Sequence, residues 1–140
     1  MSIWTHVAGM IRVDSIFPKG IPSLGRTCDF DSPQSEWDLC DVPCGSEGSL
    51  FWRFENTQRG NSLSRGHFSI WGDLRSYENP DEVLAWLNTL PEILRDAGFG
   101  IRQAVVQCEV ENQGAHLFHF EHSEDFKEPG KFVSLKLGAK

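Results

Sequence analysis

Aromatic rings, guanidinium groups and amides recur in this chain at positions that alternate with apolar residues. Trp4, His6 and Arg12, then Phe51 and Arg53, then His67, Trp71 and Arg75, and finally Gln103 and Gln107 are separated within each group by even numbers of residues. Even spacing puts side chains on one face of a β-strand. Such a mixture stacks a base and pairs phosphate oxygens. The same mixture occurs at the energetic centres of protein interfaces, where Trp and Arg are enriched. On the ligand reading, Trp71 or Trp4 stacks a base and Arg12, Arg53 and Arg75 neutralise phosphate. Gln103 then reads a polar edge, and His6 completes the set.

Other candidates are weaker. Gly45-Ser46-Glu47-Gly48 has two glycines three residues apart, which lets successive backbone N–H groups of Gly45, Ser46 and Gly48 face one concavity and suits an anion. It lacks the Gly-Lys-Ser/Thr ending of a P-loop, and a plain turn is the simpler reading. His116, His119 and His122 suggest a metal triad, but in a strand His119 points away from the other two. Cys40 and Cys44 are spaced too widely for a Cys-x-x-Cys knuckle, and a zinc site would need Cys28 or a distant His. Cys108 lies in an apolar strand and reads as a small core residue. With no export signal, the four cysteines are expected as thiols. No catalytic set, cofactor or metal site emerges from spacing, so a binding protein is expected before an enzyme.

Thirteen basic residues against twenty acidic ones give a net charge of −7. A field of that sign argues against direct nucleic-acid binding and leaves room for a local arginine cluster holding a small phosphate-bearing ligand. The acids Asp29, Asp31, Glu36, Asp38, Asp41 and Glu47 lie in a stretch without Lys or Arg, read first as a solvated loop. With 140 residues, 39% hydrophobic, the chain fits one domain and no membrane span.

The elements that must position these groups follow from periodicity. Ile3, Val7, Ile11 and Val13 alternate with Trp4, His6 and Arg12 in a first strand over 3–13. Residues 17–48 form a long acidic connection, with Ser32-Pro33 opening a short helix over 33–40. Strands are expected over 50–55 and 67–75 around a loop. Asn79-Pro80-Asp81-Glu82 then starts a long helix over 80–97. Its face is Val83, Leu87, Leu90, Leu94 and Ala97, with a kink or restart at Pro91 and a stop at Gly98. Strands at 101–110 and 116–121 follow, and a tail over 123–140 carries an edge or exchanged strand at 132–137.

This order predicts an α+β, ferredoxin-like βαββαβ sandwich with extra C-terminal strands. Helices cover one face of an antiparallel sheet, over Val7, Ile11, Phe68, Ile70, Val106 and Cys108. The alternate residues, from Trp4 to Gln107, occupy the other face, which the acidic segment, a ligand or a second copy would cover. Self-association is the first expectation for such a face.

Ile3-Trp4-Thr5-His6-Val7-Ala8-Gly9-Met10-Ile11-Arg12-Val13-Asp14, Gly45-Ser46-Glu47-Gly48-Ser49-Leu50, Trp71-Gly72-Asp73-Leu74-Arg75 and Arg102-Gln103-Ala104-Val105 resemble segments of small uncharacterised accessory proteins from phages and prophages of Gram-positive bacteria. The resemblance implies a viral protein made in the bacterial host cytoplasm and carries over no catalytic residue. It suggests an anti-defence role, as a homo-oligomer that sequesters a nucleotide-derived ligand. Two alternatives remain open. One is an acidic inhibitor of a host nucleic-acid-binding effector such as a CRISPR complex, using the Asp29–Glu47 acids as a phosphate mimic. The other is a small phosphoesterase-like enzyme with His6 or His67 as acid or base.

Overall fold

Valine, isoleucine and phenylalanine alternating with polar residues build strands that are apolar on one side, and here six of them join edge to edge. The computed structural model describes residues 3–15, 22–27, 41–59, 64–75, 79–125 and 128–137. The strands are β1 (Trp4–Ser15), β2 (Leu50–Arg59), β3 (Ser64–Arg75), β4 (Gly100–Val110), β5 (Gly114–Glu121) and β6 (Lys131–Leu137). They form one six-stranded sheet in the order β2-β3-β1-β4-β5-β6. All neighbours run antiparallel. The α+β class is as expected from sequence. The expected extra C-terminal strands are β5 and β6, which extend the sheet beyond β4. The helix expected over 33–40 lies outside the described residues. The tail strand pairs with β5 of its own chain, as the sheet's edge.

One face of the sheet is buried. Val7, Ile11, Phe68, Ile70, Leu74 and Val106 are among the residues sealed there, in the phase the alternation predicts. Gly9 sits in that same inward row, between Ile70 and Val106 in register. A Cβ on it would come within 2.6 Å of Val106 Cα, so only glycine lets β4 pack this closely over that position. Part of the cover over this face comes from the connection between β1 and β2. Leu24 and Val42 are core residues, and Trp52 Nε1 donates to the Gly25 carbonyl at 2.7 Å. Arg26 and Asp41 close the base of that connection, with Asp41 accepting from the Arg26 backbone N–H at 2.8 Å. This bond, more than the guanidinium, holds the Asp41 carboxyl below its ordinary range.

The rest of the cover is helical, and it differs from the single helix expected over 80–97. Two helices stand there, α1 (Pro80–Leu87) and α2 (Leu90–Asp96), separated by Asn88 and Thr89. Pro91 explains the position of the break. Its ring has no N–H to offer and would collide with the carbonyl four residues back, that of Leu87, so the helix ends there and restarts with Pro91 in its first turn. The apolar face survives the break, because Val83, Trp86, Leu87, Leu90 and Leu94 all remain buried. Asn79 caps α1, accepting from Asp81 N–H at 3.0 Å. Gly98, at φ +88°, ends α2, where Phe99 N–H reaches the Leu94 carbonyl at 2.8 Å. No helix among the described residues is long and apolar enough to cross a membrane.

The break also has a use. Asn88 turns its amide onto β6, accepting from Phe132 N–H at 2.7 Å and donating to the Phe132 carbonyl at 3.3 Å. Phe132 is buried, so both backbone groups would lose their partner in Asn88→Ala. That substitution is expected to cost about 1–3 kcal/mol, measured by urea unfolding, with faster amide exchange at Phe132 than in β1.

Candidate functional site

Side chains of the opposite face line up in rows across the strands. Glu55, His67, Arg12 and Gln103 form one row, and Arg53, Ser69, Met10 and Val105 form the next. Phe51, Trp71, Ala8 and Gln107 form a third, and Asp73, His6 and Glu109 a fourth. Trp4 and Arg75 pair in one further row beyond His6, so all the residues expected on the open face do share it. They do not converge on one point, but divide among a basic end, an apolar middle and an acidic end.

At the basic end, Arg12, Arg65, His67, Arg102 and Gln103 line a hollow of about 680 Å³. Asp14 is the acid among its described lining residues. Arg12 Nη1 donates to Gln103 Oε1 at 3.3 Å, a neutral partner that leaves the cation's charge uncompensated. Arg102 owes its place to a bulge. The register of β1 against β4 shifts between Arg12 and Val13, which leaves Arg102 as the extra residue. Its Nε then meets Asp14 Oδ2 at 3.1 Å.

In the middle, Trp71 and Phe51 stand side by side with ring centroids 6.1 Å apart and planes tilted by 31°. Trp71 keeps 45% of its surface exposed. From the Trp71 row to the Arg12 row is two same-face steps, about 14 Å of strand. Arg53, in the row between, is held by Glu55 at 2.7 Å.

The acidic end is organised by His6. Its Nδ1 lies 2.5 Å from Asp73 Oδ1 and its Nε2 3.1 Å from Glu111 Oε2. Glu111 also accepts the Trp4 backbone N–H at 3.1 Å. The hydrogen bond to Asp73, followed by that to Glu111, raises the His6 pKa above its ordinary value. In return the His6 contact, with help from Trp4 N–H, holds the Glu111 carboxyl low. Both ring nitrogens of His6 are thus occupied, so it offers no free nitrogen for acid–base work on a substrate. Arg75 beside it is engaged by Glu47 at 2.5 Å.

The Gly45–Gly48 segment clasps the end of β3. Gly45 N–H donates to the Gly48 carbonyl at 3.1 Å, and Ser46 N–H to the Arg75 carbonyl at 3.0 Å. Gly48 adopts φ +78°, and a Cβ there would run into the Asp73 carbonyl oxygen. These two N–H donors serve the turn and not an anion.

Cys44 and Cys108 are free thiols. Burial raises both pKa values, that of Cys108 to about 11, which favours the thiol over the thiolate at neutral pH. Cys28 and Cys40 lie outside the described residues, as do most of the Asp29–Glu47 acids. The two described ones, Asp41 and Glu47, are ion-paired to Arg26 and Arg75, which removes them from any phosphate mimicry. His122 bonds the Arg102 carbonyl at 3.0 Å, and no metal-ligating cluster occurs among the described residues. The sequence reading missed Arg65, Arg102 and Asp14. Arg65 fell in the loop expected over 56–66 because polar residues there mask strand continuity. Nothing in the sequence around Arg102 announces the bulge.

The His6 clamp makes stability depend on pH in a stated direction. A raised histidine pKa contributes fully below the ordinary value of 6.5 and loses its contribution as pH rises through the raised value. The lowered Glu111 pKa contributes above the ordinary 4.5 and is lost as pH falls through the lowered value. Urea midpoints are expected to fall as pH is raised from about 6 to about 8.5, modestly because the side chains are half exposed. His6→Gln should flatten that slope while the other histidines remain. Comparison of the chain with family models, curated proteins and solved structures finds no match.

Proposed function

We propose that this chain is a binding protein that captures a small nucleotide-derived ligand on its open sheet face. Phosphate oxygens would sit in the hollow among Arg12, Arg65 and His67, with Gln103 at its rim. A base would stack on Trp71 with Phe51 at its side. The observation that carries this reading is the hollow itself, where the described lining sets three arginines and a histidine beside one carboxylate and Arg12 meets an amide, in a chain of net charge −7. A basic concavity in an acidic protein selects for small anions, because a polyanion would be repelled by the surrounding field. The span from Trp71 to Arg12 suits a ligand with a base at one end and phosphate at the other.

The distribution of counter-charges supports binding over catalysis. His6 is clamped by two carboxylates, and Arg53 and Arg75 are already paired, which shifts the phosphate role to the other end of the face. In the setting that the phage resemblance suggests, the ligand would be a host immune signal withdrawn in the bacterial cytoplasm. The same reading treats β1 to β4 with their helical cover as a βαββαβ unit extended by β5 and β6.

Thermal melting with ADP-ribose, cyclic dinucleotides and inorganic phosphate at low salt tests this. At least one phosphate-bearing nucleotide should raise the melting temperature and be recovered intact after heating. Arg12→Ala should then weaken binding at least about tenfold, the loss of a charge-assisted bond of about 1.5–3 kcal/mol. Trp71→Ala should lose a comparable amount from stacking, about 1–3 kcal/mol. Arg53→Ala should change little. No shift with any of these probes, or recovery of a cleaved ligand, would overturn the reading.

A further inference from the structure

Five of the six large hydrophobic side chains exposed among the described residues stand on the open face: Met10, Phe51, Trp71, Val105 and Leu135. The sixth, Ile93, is on α2. The five are not scattered. Met10 and Val105 are register partners, as are Phe51 and Trp71. Leu135 pairs with Leu117, which pairs with Gln107 of the Phe51–Trp71 row. Two adjacent rows therefore give every strand an apolar residue on this face, with Arg53, Ser69, Gln107 and His119 standing among them. Bands of this extent on a protein surface mark interfaces.

The charges left on either side of the band differ in balance, since Glu55 in the Arg12 row is paired to Arg53 and Arg75 beside His6 is paired to Glu47. Arg12, Arg65 and Arg102 stand at one end with Asp14. Asp73, Glu109 and Glu111 stand at the other around His6. A second copy laid face to face, with its two-fold axis in the plane between the sheets and across the strands, meets this pattern with its reverse. Its apolar band covers the first copy's band, its basic end lies over the acidic end, and its acidic end over the basic one. That is the self-complementarity an isologous contact requires. The opposite choice of axis, along the strands, would set like charges against each other.

The size fits as well. Six strands at about 4.8 Å and four same-face rows at about 7 Å outline an area on the order of 800 Å² per copy. That is the standard contribution of one partner to a stable interface. Two antiparallel sheets packed this way form an ordinary sandwich with a core about 10 Å thick.

We propose that the open face is the interface of a two-fold symmetric homodimer in which the basic end of each copy lies over the acidic end of its partner. A ligand seated as described above would compete with the partner copy for Arg12 and Trp71. Self-association is read from mass alone, so it stands or fails apart from the ligand reading.

A charge swap tests the geometry. Arg12 and Glu109 are both exposed, so Arg12→Glu and Glu109→Arg leave the core untouched. At micromolar concentration and low salt the wild-type chain should sediment at twice its 15.8 kDa mass. Each variant alone should dissociate at least tenfold more readily, because like charges then meet at both ends of the interface. An equimolar mixture should recover the dimer. The carboxylate introduced at position 12 of one variant then meets the guanidinium introduced at position 109 of the other, and the remaining end is native. Ile93→Glu, on the helical side, should leave the dimer intact. A monomeric wild type, variants that dimerise unchanged, or a mixture that stays monomeric would each overturn the proposal.

Discussion

One-sided burial governs this molecule. The helices and the β1–β2 connection press on a single face of the sheet, so every strand must hold its apolar phase toward them. In β1 this fixes Val7, Ile11 and Val13 inward and His6, Met10 and Arg12 outward. A slip of one residue in register would bury a histidine and an arginine and expose the core. The central trio of β3, β1 and β4 is where that constraint is strongest, because those strands are long and paired on both sides. Gly9 contributes by leaving its inward position empty, so that Val106 of the neighbouring β4 closes over it.

The outward phase is then free of packing demands, and electrostatics organises it. On this face carboxylates neutralise Arg53, Arg75 and Arg102 at 2.5–3.1 Å. These half-exposed pairs add little stability individually. Their larger effect is to decide where charge is left uncompensated. His6 draws Asp73 and Glu111 together at one end, while Arg12 faces only an amide at the other. The face acquires polarity from this sorting, although the chain as a whole is acidic.

The alternation was legible wherever it was carried by β-branched and aromatic residues. Val7, Ile11, Phe68 and Ile70 sit in the expected phase, and so do Trp4, Arg12, Trp71 and Gln103. The grouping along the strand direction was not legible, because it depends on register between strands far apart in sequence. Nothing local indicates that Arg12 stands opposite His67, or Trp71 opposite Ala8. The bulge at Arg102 and the early start of β3 at Ser64 likewise answer to pairing across the sheet. The split of the long helix was half legible. Pro91 demanded an interruption, but its placement at Asn88 also reflects the two hydrogen bonds that Asn88 makes to β6.

A bare apolar band is thermodynamically costly, and the two proposed occupants remove that cost in different ways. A second copy covers the whole band and satisfies both charged ends at once. A small ligand would cover only the Trp71–Arg12 segment but would bring phosphate oxygens, bidentate partners for arginine, to that end. Because both proposals call on the same residues, ligand binding and self-association would be linked. Whatever free energy holds the dimer must be subtracted from the ligand's apparent affinity. On these proposals the Arg12 end would decide between the two states, since it is where the partner's carboxylates and a ligand's phosphate would meet the same guanidinium.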